Sequence, residues 1–168
     1  YDDPQLLAEF AHVGLHPDQV DAVFLTHSDV DHVGGLGLFD RARLYLGREE
    51  EPLIKQTVGR LTKLYKNHRI ERPYHLLDDS QTVTIGNIHI RAIATPGHTI
   101  GHTCYLVDDH YLFTGDAAIL QNGTLRPFYR PFSMKHALTI ASARRITAIP
   151  SHWLCTAHTG IGATKDYC

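Results

Sequence analysis

Short apolar runs bounded by turn residues dominate the chain, and their period switches between two and about 3.6 residues. Asp3-Pro4 pairs an N-cap residue with proline at the first helical position. Leu6, Leu7, Phe10 and Val13 then form an inward helical stripe that Gly14 ends. After a turn at Pro17-Asp18, Asp21 to Thr26 reads as a buried strand, and a polar cluster follows it at once. Gly34-Gly35 allows a tight backbone before a helix or turn near Leu36 to Phe39. Arg43 to Leu46 reads as a strand, and Glu49 to about Tyr65 as a helix broken near Gly59 with a solvated outer face. Thr82 to Ile85 and Ile88 to Ala94 alternate around Gly86-Asn87 as a hairpin does. Cys104 to Val107 and Tyr111 to Thr114 repeat that pattern around Asp108-Asp109. Ser133 is placed to cap a helix through about Ile146, with Ala137, Ile140, Ala141 and Ile146 as its apolar side. A last strand near Trp153 to Ala157 leads to His158.

A length of 168 residues predicts one domain, covering 1–168, with room for a hydrophobic core. Apolar content of 43% and charged content of 20% are those of a globular protein. A net charge of -2 gives no electrostatic reason to expect nucleic acid or an anionic membrane as partner. No apolar run approaches the roughly 20 residues that span a bilayer. Neither nucleic acid nor a membrane is therefore an expected partner. Cys104, Cys155 and Cys168 are odd in number and widely spaced, as reduced thiols of a cytoplasmic protein would be. Cys104 lies in an apolar stretch that suits the core. Histidine is the outlier, with 13 residues. His12, His16, His68, His75, His89, His110, His136 and His152 share no metal-like spacing and are assigned to surface or packing.

The other histidines stand in patterned company. His27-Ser28-Asp29-Val30-Asp31-His32 offers four metal-binding groups within six residues, directly after a strand. A divalent ion needs several such groups within roughly 2.0–2.2 Å. Thr95-Pro96-Gly97-His98-Thr99-Ile100-Gly101-His102 ends another strand with a rigid Pro-Gly turn. Phe113-Thr114-Gly115-Asp116 and Ala157-His158 close two more. Any one of these units is an ordinary turn or cap; their order carries the signal. Strands of a common sheet ending together would gather His27, His98, Asp116 and His158 on one rim. The loop from Arg126 to Phe132 mixes cationic and aromatic groups, and either closes over the pocket or tucks its aromatics into the core.

Taken in order, Leu25-Thr26-His27 with Asp31-His32-Val33-Gly34-Gly35, then Thr95 to His102, Phe113 to Asp116, and Ala157-His158, resemble the metallo-β-lactamase fold superfamily. The resemblance runs from about Pro4 to the C-terminus. It implies an αββα sandwich, two mixed β-sheets flanked by helices, with a dinuclear metal centre at one edge. His27, Asp29 and His98 would hold the first ion, and Asp31, His32 and His158 the second, with Asp116 bridging them. Zinc is the expected metal, with iron or manganese as alternatives. Asp29 stands where the family has histidine, and a carboxylate makes the site harder and more oxygen-rich. The family's first strands, with their Asp-Thr-Gly-like turn, have no counterpart here, so the chain is expected to be incomplete at its N-terminus.

The implied activity is hydrolysis of a small ester-like substrate, a thioester or lactone, by hydroxide formed between the two ions. Asp31 would be catalytic in orienting the water, and His102 would support the ligands from behind. No separate general acid stands out, which favours good leaving groups. A β-lactamase, a phosphoesterase, or a catalytically weak metal- or ligand-binding relative are the alternatives, the last suggested by Asp29. No basic patch supports a nuclease.

Overall fold

The computed structural model describes residues 3–60 and 67–166. Helix α1 (Asp3–His12) leads through a 3-10 turn into β1 (Ala22–Leu25). The chain then winds through the short α2 (Val30–Val33) and a 3-10 segment, Gly34–Phe39, to β2 (Arg43–Gly47). A single turn, α3 (Glu51–Ile54), precedes β3 (His75–Leu77). β1, β2 and β3 pair in that order, all parallel. The hairpin of β4 (Thr82–Ile85) and β5 (Ile88–Ala94) opens a second sheet, which β6 (Thr103–Val107) and β7 (Tyr111–Gly115) extend. A separate hairpin, β8 (Ala118–Gln121) and β9 (Thr124–Pro127), is followed by α4 (His136–Thr147), β10 (Trp153–Thr156) and β11 (Gly160–Ala163). The six-stranded sheet runs β11-β10-β7-β6-β5-β4, and in it only β10 and β7 pair in parallel.

Successive strand residues face opposite ways, and this alternation sorts the apolar side chains into layers. Tyr45, Leu77, Ile90, Ala92 and Tyr105, with Phe24 beside them, fill the space between the sheets. Leu25, Leu44 and Leu46 point the other way, onto Val33, Ile54 and Ile70. Beyond the second sheet, Ile93, Cys104, Leu106, Leu112 and Leu154 meet Ala143 and Ile146 of α4. The result is the αββα sandwich, with one correction: the first sheet is parallel throughout the described residues, not mixed.

Four local readings also change. In α1, Leu6 and Phe10 are half-buried, one helical turn apart, and Phe10 packs on Phe39 at 5.6 Å. Leu7 lies off that face and Val13 beyond the helix end, so they stay 40% and 64% exposed. The helix expected from Glu49 stops at Ile54, because Gln56 takes a φ of 56° and the chain turns inward to bury Arg60. Its remainder, 61–66, lies outside the described residues. Ser133 caps nothing: its hydroxyl donates to the Tyr129 carbonyl, and α4 begins at His136. The buried side of α4 is Thr139, Ser142, Ala143 and Ile146, while Ala137 and Ala141 face solvent. This polar side is needed because α4 leans on a loop: Ser142 Oγ donates to the Pro96 carbonyl at 2.8 Å. Gly97, at φ 142°, is where a Cβ would strike the Thr139 backbone.

The three-stranded sheet does not reach across the whole inner face of its partner. Register puts Tyr111 and Phe113 on the side of Tyr105, with Trp153 and Ile161 beside them. These four stay 44%, 44%, 39% and 68% exposed.

Candidate metal centre

β5 and β7 run the same way across the antiparallel β6, and β10 runs parallel to β7, so three strands end on one rim. β1 of the other sheet joins them there, since Thr103 N–H donates to the Thr26 carbonyl and Tyr105 Oη to the Leu25 carbonyl. His27, His98, Asp116 and His158 leave these ends, and α2 turns Asp31 and His32 toward them. Three sets of ligand atoms lie within 4.8 Å of one another: His27, Asp29 and His98; His27, His32 and Asp116; and Asp31, His32 and His158. Thus all seven residues expected from the sequence converge.

The loops are pinned from below by Glu50, a residue that no motif marks. Glu50 is fully buried, and its Oε1 accepts from Ser28 N–H and Oγ–H at 2.9 and 2.7 Å. Its Oε2 accepts from Thr99 Oγ–H at 2.7 Å and Gly101 N–H at 3.2 Å. One carboxylate therefore fixes both the His27 and the His98 loops. Burial raises its pKa, and the hydrogen bonds from Thr99 and Ser28 pull against that rise. His102 acts similarly behind Asp116. Its Nε2 accepts from the Asp116 N–H at 3.0 Å, which leaves Nδ1 to donate to Thr95 Oγ1 at 2.8 Å. Burial, with His98 nearby, lowers its pKa to about 3, so the ring is a neutral brace.

Two halves of the cluster differ in chemistry. In the outer half, His32 Nε2 lies 3.4 Å and His158 Nε2 3.3 Å from Asp116 Oδ1, while Asp31 Oδ2 is 3.6 and 3.7 Å from the same two nitrogens. His32 Nε2 and Asp116 Oδ1 are buried with no hydrogen-bond partner among the described residues. Buried polar atoms are seldom left so, and this pair suits a cation between them. Burial works against protonating His32, but Asp116 and Asp31 outweigh it and raise its pKa.

In the inner half the place is taken. Arg60, its side chain 2% exposed, forks onto Asp29 with Nε 2.7 Å from Oδ1 and Nη2 2.6 Å from Oδ2. Nη2 also lies 2.7 Å from His98 Nε2 and 2.9 Å from the Phe132 carbonyl, and Asn67 Nδ2 donates to Asp29 Oδ1 at 2.7 Å. Burial would raise the Asp29 pKa, but His98 and Arg60 reverse it and hold the carboxyl far below its usual range. His27, 3.1 Å from His98 between their Nε2 atoms, has its pKa pushed well down by burial and by His32, His102 and His98. Arg60, Asn67 and Glu50 escape a reading by motif because each sits far from the motifs in sequence. Phe128, from the aromatic and cationic loop, is buried with its ring 4.8 Å from His98 and 5.8 Å from His158. Tyr129 and Phe132 of that loop are exposed.

A sandwich with histidines and carboxylates gathered on the rim of its paired sheets defines a class, and residues 3–158 match its family model. The chain belongs to the metallo-beta-lactamase superfamily. Hydroxyacylglutathione hydrolase of Salmonella paratyphi A is 32% identical over 151 residues, 87% of this chain and 51% of that protein. A probable polyketide biosynthesis zinc-dependent hydrolase of Bacillus velezensis is 36% identical over 112 residues, 64% of this chain and 44% of that protein. The chain spans about half the length of the curated relatives it matches. Of solved structures, BLEG-1 B3 metallo-beta-lactamase gives a TM-score of 0.72 at 22% identity, covering 98% of this chain and 80% of that one. TTHA1623 in a di-iron-bound form gives 0.68 at 21%, covering 98% and 81%. These two share the fold. No helix among the described residues is long and apolar enough to cross a membrane.

Proposed function

We propose that this chain carries the site of a metal-dependent hydrolase acting on a small ester-like substrate, a thioester or lactone. The observation that carries this is the outer half of the cluster, where His32 Nε2 and Asp116 Oδ1 face each other, buried and unpartnered. We assign Asp31, His32, Asp116 and His158 as ligands, with zinc expected and iron or manganese as alternatives. A divalent ion so held supplies Lewis acidity and brings the pKa of a water from 15.7 toward about 7. Asp31 is the cluster's solvent-facing carboxylate, its side chain 46% exposed, so its oxygens can orient the attacking water and take its proton. His102 holds Asp116 in place through the backbone, and Phe128 shields one flank.

The similarity to a hydrolase named for hydroxyacylglutathione and to a zinc-dependent hydrolase supports this reading. A thiolate, whose thiol has a pKa of about 8.5, leaves without a separate acid. The test is metal analysis of the purified chain with a panel of thioesters, lactones, phosphoesters and β-lactams. Thioester or lactone turnover should vanish on chelation and return with zinc. Bound metal without turnover of any class would favour the inactive, metal-binding alternative and sink the enzymatic one.

A further inference from the structure

We propose that the Arg60 guanidinium permanently fills the first cation position, so that this centre takes up one divalent ion rather than two. The inference rests on reading the site as a metal centre. Arg60 Nη2 touches two members of the inner set, at 2.6 Å from Asp29 Oδ2 and 2.7 Å from His98 Nε2. The third member, His27 Nε2, is 3.1 Å from that His98 nitrogen and 3.7 Å from that Asp29 oxygen. An ion bonded to all three at roughly 2.0–2.2 Å would lie directly against Nη2 and its positive charge.

The two Asp29 oxygens are also saturated. Asp29 Oδ1 accepts from Arg60 Nε and Asn67 Nδ2, and Oδ2 accepts from Nη2 and, at 3.0 Å, from Nε. Nη2 shares its two hydrogens among Asp29, His98 and the Phe132 carbonyl, so the guanidinium is tethered at three points. The contrast with His32 Nε2 and Asp116 Oδ1, which have no partner among the described residues, is within one cluster.

Charge leads to the same place. Carboxylate for imidazole at position 29 adds one negative charge, and arginine adds one positive charge that no working pH removes. The Asp29 and Arg60 charges then cancel without a metal. A divalent ion entering the inner set would have to expel a buried cation from a paired carboxylate or sit beside it. The aspartate and the arginine are a matched pair: the fork geometry that Asp29 offers is one that an imidazole at that position cannot.

Cobalt(II) titration of the metal-free full chain, followed by visible absorption, electron paramagnetic resonance and metal content, tests this. One equivalent should bind tightly, with a signal from isolated ions, and no second should follow in excess metal. His158→Ala should weaken that equivalent by about tenfold or more. Asp29→His combined with Arg60→Ala should admit a second ion; should that variant not fold, the wild-type count decides alone. Two equivalents with spin-coupled signals in the wild type would overturn the single-ion proposal and leave the metal-centre reading standing. One equivalent indifferent to His158→Ala would put the ion in the inner set and also overturn it. No binding at all would sink the metal-centre reading itself.

Discussion

Glu50 and Arg60 are both buried charges, and each is matched by partners that only the folded chain supplies. Glu50 accepts four hydrogen bonds from two loops, so Glu50→Gln turns an amide NH2 toward donors that need an acceptor. Leaving buried donors unpaired costs about 1–3 kcal/mol, and urea unfolding of Glu50→Gln should show a loss in that range. Metal affinity should fall with it, because the segment from Ser28 into α2, which carries Asp31 and His32, loses its anchor. For Arg60 the expectation depends on pH. Asp29 has its folded pKa depressed, with burial opposed by His98 and Arg60, so its contribution is present above the unfolded carboxyl value and is lost as pH falls. Arg60→Met removes the partner, and breaking a buried pair costs about 3–5 kcal/mol. In that variant Asp29 is better tolerated protonated. The metal-free chain should therefore lose less, relative to wild type, at about pH 4 than at pH 7. A stability deficit equal at both values would mean that Arg60 does not balance Asp29.

The elements show how packing revises pattern. α4 carries apolar residues on more than one side, and a simple hydrophobic reading selects Ala137 and Ala141, which prove exposed. Its neighbour is a loop with carbonyls to satisfy, so Thr139 and Ser142 turn inward with Ala143 and Ile146. Ile146→Ala should cost about 2–5 kcal/mol in chemical denaturation, whereas Ala137→Ser should stay within about 0.5 kcal/mol. Equal effects would return the buried side to Ala137. The β8–β9 hairpin carries a local signature: Asn122-Gly123, both at positive φ, is a strong two-residue turn signal. β3 and β11 carry none, since strands of three and four residues with little alternation give almost no signal of their own.

At the largest scale, two sheets of unequal width leave an apolar strip that none of the described residues covers. Tyr111, Phe113, Trp153 and Ile161 share the inner face of the wider sheet, beyond the reach of the three-stranded one. A contiguous apolar surface of this kind binds hydrophobic probes. The chain should enhance anilinonaphthalene sulfonate fluorescence, and Phe113→Thr with Ile161→Thr should reduce that signal without lowering the melting temperature. Since Trp153 is the sole tryptophan, acrylamide should quench its emission readily. An unquenched tryptophan would mean that the strip is covered in solution.

Local patterning encodes the alternation of strand and helix, the placing of His27, His98, Asp116 and His158 after strand ends, and the family those units mark. These are local properties: a side-chain period of two and a turn before each ligand-type residue are written in neighbouring positions. Only the folded chain brings Arg60, 31 residues beyond Asp29, against the cage, and lets Glu50 tie together loops more than 60 residues apart. A buried charge looks like a surface charge in a sequence. Its partner becomes visible only when the fold removes both from water, and that is why the metal motif was legible while the occupant of its inner half was not.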